Sequence, residues 1–394
     1  MKIHQQIWTP DDGWREQGSG SALDGDASVV FAFGSEAAFD SDALLALRRR
    51  HPNAQLVGCS TAGQTAGDRL IDDEMIVATS VALEHSSAVR RGVSVDRFDG
   101  SRAAGVELAR RFDPDGLVYV VVLSDGLHVN GSELVAGMTQ VLGRSVGISG
   151  GMAGDGGRFA RTLVIDGDRV GTKRVTAIGL YGDRLRVGCS AKGGWQTFGP
   201  DRRITRSEGN VLFDLDGVPA LELYKRYLGP EHAARLPASG LLFPLAIVPD
   251  DDACRGEHDF IVRTMLSVDA EHQSLTFAGD VPSGARCRLM RADNDGIIEG
   301  AGGAASEAWQ GIGDAGDAQL ALMVSCVGRR HVLGPRVEEE IEAVREVMGA
   351  GVTATGFYSY GEIAPMPRGF GEVANDRGSV LHNETMTVTV LAEA

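Results

Sequence analysis

The stretch GFYSYGEIAP, Gly356 to Pro365, follows the apolar run VTAT and is answered by LHNETMTV at Leu381 to Val388. Tyr358, Tyr360 and Glu362 thus stand at a strand-to-loop junction, with His382 and Asn383 in the answering stretch. Such junctions present polar groups to a ligand without breaking a core. A carboxylate beside two phenols can orient an amine or amide group; its structural alternative is to cap backbone N–H groups in the turn before Pro365. Cys59-Ser60-Thr61 ends another apolar run and offers a thiol, but a nucleophilic thiol needs a base and a lowered pKa, and the sequence assigns neither. Gly147-Ile148-Ser149-Gly150-Gly151 fits the G-x-S-x-G pattern of hydrolases, yet a glycine loop follows where that motif requires a helix. A glycine turn that lets a ligand approach the backbone is the alternative for Ser149 to Gly151.

Histidines can ligate a metal or haem iron as neutral imidazole. His51, before a proline, reads as a solvated turn residue, and His232 and His272 lie in polar loops or caps. His128, His258, His331 and His382 adjoin strands or glycine loops and are candidate ligands, each set against a role as a hydrogen-bonded structural histidine. No pair has the short helical spacing of a zinc motif, so any metal is expected inside a cofactor. Asp125, in the loop leading to His128, reads as an Asx-turn residue.

The elements around these residues repeat. VVFAF leads through a helix to LVGCSTAG and the closing strand IVATSVAL; LVYVVVLSDG leads through SELVAGMTQVLG to VGISGGMAG and VTAIGLYG; LALMVSC leads through RVEEEIEAVREVMG to TGFYSYG and MTVTVL. Gly58 and Gly63 match Gly356 and Gly361 in spacing, and the middle copy is looser. This is either true repetition or the ordinary recurrence of strand and helix in α/β chains. RTLVIDGDRV and VTAIGLYG are expected to form a hairpin around Gly167-Asp168. Residues 184–319 are expected to be strand-rich, with one helix at Val218 to Gly229 and a loop at GAGGAASEAW. The fold class is therefore α/β, with repeated strand-helix-strand units, mixed sheets and a strand-rich segment in the C-terminal half.

The 394 residues carry 54 acidic and 38 basic side chains, a formal charge of −16, which gives nucleic acid or an anionic membrane no electrostatic footprint. Five scattered cysteines without a CxxC pair argue against structural zinc or a disulfide framework. With no apolar signal core and no membrane-length run, a soluble cytoplasmic protein is expected. Residues 1–28 read as a partly ordered lead-in.

GCSTAGQ (58–64), LSDGLHVNG (123–131), SGGMAGDGGRF (149–159), LDGVPALELY (215–224), SCVGRR (325–330), GFYSYGEIAP and LHNETMTV, in this order, resemble the FIST domain in its N-terminal and C-terminal halves. The resemblance spans about Val29 to Leu391 and implies a FIST N-like α/β domain at 29–208 and a FIST C-like domain at 209–391. It implies a bacterial intracellular sensor of small ligands. Stand-alone members resemble nitric-oxide-sensing NosP proteins, which bind b-type haem and modulate a partner histidine kinase in two-component signalling. On that basis His382 is the first axial candidate, followed by His331 and His128. The alternative is an amino-acid sensor without haem, in which Cys59 to Thr61, Ser149 to Gly151, Tyr358 to Glu362 and Asn383 converge on one pocket. A cysteine or serine hydrolase ranks third. Catalysis is not expected, and homodimerisation is left open.

Overall fold

The computed structural model describes residues 1–17, 23, 25–39, 41–71, 74–248, 260–313, 318–366 and 378–394. His258 and Cys254 lie outside the described residues.

Three units of one plan make up most of the chain. The first comprises β1 (Lys2–Thr9), β2 (Val29–Gly34), α1 (Ala43–Arg50), β3 (Gln55–Ser60), the hairpin β4 (Gln64–Ala66) and β5 (Arg69–Ile71), and β6 (Ile76–Ala82). The second comprises β7 (Ser87–Ser94), α2 (Gly100–Arg110), β8 (Leu117–Ser124), α3 (Gly131–Leu142), β9 (Gly147–Met152), the hairpin β10 (Val164–Asp166) and β11 (Arg169–Gly171), and β12 (Arg174–Tyr181). The third opens with β13 (Leu185–Lys192) and resumes with α4 (Asn294–Gly311), β14 (Leu320–Cys326), α5 (Val327–Leu333), α6 (Val337–Met348), β15 (Thr353–Ser359), the hairpin β16 (Glu362–Pro365) and β17 (Ser379–His382), and β18 (Met386–Glu393). Between β13 and α4 lies an inserted sheet that runs from Gln196–Glu208 to Arg286–Arg291 and packs the helix Ala220–Ala233.

In each unit the central strand (β2, β8 or β14) pairs parallel with the strand that follows the helices (β3, β9 or β15) and antiparallel with the closing strand. The hairpins do not stay at home. β4 and β5 join the third unit's sheet, β10 and β11 the first, and β16 and β17 the second. Each sheet is thus completed by a neighbour, and the three are locked in a cycle.

Strand alternation then sorts the side chains. Phe31, Phe33, Val121, Leu123, Leu322, Val324 and Phe357 face a shared interior, where Phe33 stacks on Phe357 at 4.7 Å. The intervening residues meet the helices: Val30 and Ala32 lie with Leu44 and Leu47, Val120 and Val122 with Leu108, Leu134 and Met138, and Ala321 and Met323 with Ala305, Ile341 and Val344.

Several expectations are corrected. The lead-in supplies β1, which pairs with β6 from Lys2 opposite Ala82 to Trp8 opposite Ile76. GAGGAASEAW lies within α4, whose alanines bury an apolar face. The helix can sit against β13 because glycines on both sides permit close approach: a Cβ at Gly188 would come 1.9 Å from the Ala308 carbonyl oxygen, and one at Gly311 2.9 Å from the Gly188 Cα. Gly167-Asp168 does turn a hairpin, but its arms are β10 and β11; β12 pairs with β7 and β8 in another sheet. His51 is buried, with Nε2 3.1 Å from the Ser80 hydroxyl. Among the described residues no helix is long and apolar enough to cross a membrane.

Candidate ligand-binding site

The ends of β3, β9 and β15 meet at one junction, and three glycines set it. A Cβ at Gly58, Gly150 or Gly356 would stand 1.9, 1.8 or 2.0 Å from the carbonyl oxygen of Ala32, Val122 or Met323, so only hydrogen fits. Two residues further on, the Ser60, Met152 and Tyr358 carbonyls accept from the N–H groups of Gly154 (2.9 Å), Tyr360 (3.1 Å) and Ala62 (2.8 Å). Each unit donates to a different neighbour, closing a ring of backbone bonds. The middle copy looked loose in sequence because its junction carries the extra loop 155–162: Ser60 N–H bonds to Leu163 O where Tyr358 N–H bonds to Gly63 O.

Beside the ring, between the second unit and the insert, opens a cleft of about 540 Å³. Its floor comes from Leu127, His128, Val129, Met152, Tyr360 and Leu381, and its far wall from Asn210, Leu266 and Phe277. Four of the stretches quoted above, LSDGLHVNG, SGGMAGDGGRF, GFYSYGEIAP and LHNETMTV, therefore supply this one lining. Phe159 is held at its edge, 55% exposed, with its ring stacked on Tyr360 at 4.3 Å. The Tyr360 hydroxyl donates to Asp155, whose carboxylate also accepts from the N–H groups of Phe159, Ala160 and Arg161 at 2.7 to 2.9 Å. Burial opposes ionisation of Asp155, but these donors outweigh it and hold the carboxyl below its ordinary value.

His128 contributes an imidazole to the cleft lining. Its Nδ1 lies 3.1 Å from Oδ2 of Asp125, a fully buried carboxylate. That carboxylate also accepts from Leu127 N–H (2.8 Å), His128 N–H (3.0 Å), the Thr162 hydroxyl (2.9 Å) and Lys173 N–H (2.5 Å). The Asx turn read from sequence is present, and it also orients an imidazole. With a carboxylate at Nδ1, that nitrogen carries the hydrogen and Nε2 is left to a ligand.

The other candidates scatter. Cys59 is fully buried in the shared core, and burial pushes its thiol well above the ordinary value, against a thiolate. The Ser60 hydroxyl donates to Gly154 O (2.7 Å) and accepts from Leu163 N–H (2.8 Å), and Thr61 donates to the Gln64 side chain (2.8 Å). Ser149 accepts from the Thr389 hydroxyl at 2.8 Å inside the core, while Gly150 packs on the Val122 backbone and Gly151 against Val324. The Tyr358 hydroxyl is committed to Glu340 (2.7 Å), which also pairs with the buried Arg329 (2.7 Å). Of the residues expected to converge on one pocket, only Tyr360 lines the cleft.

Glu362, Asn383 and Glu384 form a buried polar layer behind it. Ser359 donates to Oε1 of Glu362 (2.7 Å), and Thr385 donates through Oγ1 (2.9 Å) and N–H (3.1 Å) to Oε2. Burial nevertheless raises the carboxyl to about 8, and Glu384, with a Thr264 bond at 2.9 Å, is raised by burial to about 7. The Asn383 amide, 1% exposed, finds no hydrogen-bond partner among the described residues. Thr385 and His382 continue into a second, polar cavity of about 570 Å³, also lined by Lys192, Trp195, Asp293 and Glu299.

Haem ligation separates the three histidines. His382 is buried with Nε2 3.3 Å from Pro365 O, and burial together with Arg263 lowers its pKa to about 4. His331 is exposed on α5 and lines neither cavity. His128 alone among them combines an oriented ring with a largely apolar cleft, so the residues there fit a haem group. Asp155, Phe159, Leu266 and Phe277 were not singled out from sequence; SGGMAGDGGRF held the signal for the first two, while its glycines drew the attention.

The FIST N domain matches residues 28–218 and the FIST C domain residues 220–365. The chain belongs to the FIST family. FIST domains are sensory domains that bind small ligands in signalling. The FIST chain is similar to an uncharacterized protein of Mycobacterium bovis, 26% identical with 93% of this chain and 95% of the relative covered. It is also similar to an uncharacterized protein of Methanocaldococcus jannaschii, 28% identical over 46% of this chain and 36% of the relative. A cyanuric acid hydrolase from A. caulinodans aligns over 100% of this chain and 98% of its own at 11% identity and a TM-score of 0.38, values that say nothing of activity.

Proposed function

We propose that this FIST protein senses nitric oxide through haem b held in the 540 Å³ cleft, with His128 as the axial ligand, and signals to a partner histidine kinase. The observation that carries the reading is the His128 ring, fixed at Nδ1 by the buried Asp125 in a cleft walled by Leu127, Val129, Met152, Phe277 and Leu381. A carboxylate behind an imidazole raises its basicity as a ligand and fixes its tautomer. Bound haem supplies an iron that takes up a diatomic gas. The chain's part is to bury the macrocycle, hold the imidazole, and connect it to neighbouring loops: Asp125 ties His128 to Thr162 and Lys173, and Tyr360 ties the cleft floor to loop 155–162. A change at the cleft that alters these contacts would bias the surface seen by a partner.

The test is the absorption spectrum and iron content of the chain purified from cells supplied with haem precursor. A near-stoichiometric Soret band that shifts on reduction and NO addition is expected, lost in His128→Ala and displaced in Asp125→Asn. An unchanged band in His128→Ala overturns the assignment.

A second reading, an amino-acid sensor without haem, is favoured by the second cavity. Lys192, paired with Glu307 at 2.8 Å, and Glu299 place a cation and a carboxylate on that lining, whereas the first cleft has an imidazole and a phenol. A colourless chain whose melting temperature rises with amino acids, and no longer does so in Glu299→Gln, supports it.

A further inference from the structure

On the second unit, apart from both cavities, a small pocket of about 70 Å³ is lined by Arg97, Arg111, Arg169 and Arg174 around Asp166. The concentration of arginine is notable in a chain of charge −16. It is also built rather than incidental. Asp166, 7% exposed, pairs with Arg90 and lies 3.8 Å from Arg174. Its carboxylate is seated where Gly92 has no side chain: a Cβ there would come within 2.4 Å of it. Arg111 is fixed by Gly92 O (2.8 Å) and Glu107 (3.1 Å). The one buried carboxylate is thus used up in placing Arg90 and Arg174. Arg97 and Arg169 make no ion pair through their side chains among the described residues. Bringing like charges together costs free energy unless an anion offsets it.

We propose that this pocket is a binding site for a phosphoryl group. The guanidinium fork matches a tetrahedral oxyanion through paired N–H donors, and its charge persists at every working pH. The volume exceeds the roughly 30 Å³ share of a water molecule but is too small for a sugar or base, so one phosphate enters and whatever it is attached to remains outside. Free phosphate and a small phosphate monoester share this chemistry. The pocket adjoins the haem-reading site through the chain itself, since the Lys173 N–H, next to Arg174, bonds to Asp125, but its assignment does not depend on that site.

Titration calorimetry on the full chain, with inorganic phosphate and with glycerol phosphate against sodium chloride at matched ionic strength, tests it. Saturable binding is expected for at least one phosphate probe, and the tighter probe identifies the source. The double variant Arg97→Gln/Arg169→Gln alters only exposed side chains and is expected to fold as the parent and bind at least tenfold more weakly. Arg206→Gln, on the insert and paired with Asp214, is expected to bind as the parent. No binding beyond that of chloride, or equal binding by the double variant, overturns the proposal.

Discussion

The first and third units build the same turn with different acids and amides. In the first, Thr61 donates to the Gln64 side chain at 2.8 Å and accepts from Gly63 N–H at 3.2 Å. In the third, Ser359 donates to Glu362 at 2.7 Å and accepts from Gly361 N–H at 3.3 Å. Gln64 also reaches Met75 O at 2.9 Å, and its neutral amide costs little to bury. Glu362 occupies the equivalent place with a carboxyl raised by burial to about 8, so at neutral pH it is held largely as a neutral acid. The difference teaches that the turn itself requires only a hydrogen-bonding side chain of this length; the titratable group is peculiar to the unit bordering both cavities. In the second unit, Val164 takes this place and the loop 155–162 is added.

The largest expected effect asks whether the third unit's polar core is structural. Removing Glu340 with Glu340→Ala leaves Arg329 buried and unpaired, and a loss of about 3–5 kcal/mol in chemical denaturation is expected. The glycine ring comes next. Gly58→Ala and Gly356→Ala each drive a methyl into a backbone carbonyl, and about 3 kcal/mol is expected from each, equal within error if the units are equivalent.

Glu362→Gln converts the third turn into the first. A carboxyl raised to about 8 keeps its proton in the folded state where the unfolded chain has lost it, so stability falls as pH rises from about 4.5 to 8 and is level above; Glu384 acts likewise up to about 7. His382, lowered to about 4, has the opposite effect between about 4 and 6.5, because there the unfolded chain binds the proton. Above pH 6.5 the carboxyls act unopposed by it, Glu384 up to about 7 and Glu362 up to about 8, each with a slope of up to about 1.4 kcal/mol per pH unit. Urea midpoints over this window should decline in the parent and decline less in Glu362→Gln; equal declines would mean that Glu362 does not titrate there. Ser359→Ala and Thr61→Val should each cost about 1 kcal/mol at pH 7. The smallest stability effect, under about 0.5 kcal/mol, is expected for Phe159→Ala, since its ring is more exposed than buried. Its consequence should instead be weaker ligand retention in the cleft.

Much of the plan was legible in the chain. The three apolar runs with their following helices became β2, β8 and β14 with α1, α3 and α6, because periodicity and terminal glycines are local signals; α5, directly after β14, was not read from the chain. GAGGAASEAW misled because glycine usually marks a loop; here the spacing of small residues lets α4 lie on β13. Tyr358 and Tyr360, two residues apart, looked alike, yet one is buried against Glu340 and the other floors the cleft.

Sequence by itself determined the family, the recurring order of strand, helix and glycine-flanked strand, and four of the stretches that line the cleft, since these reside in residue order and short-range pattern. Only the tertiary structure decided which sheet each hairpin joins, that residues 1–28 contribute strands to the first sheet, that Glu362 is sealed from water and that His128 stands against Asp125 in an apolar wall. The physical reason is that a strand edge can hydrogen-bond to any free edge of compatible register, so partner choice, and with it burial and the pKa shifts that follow, is fixed by the whole packed assembly.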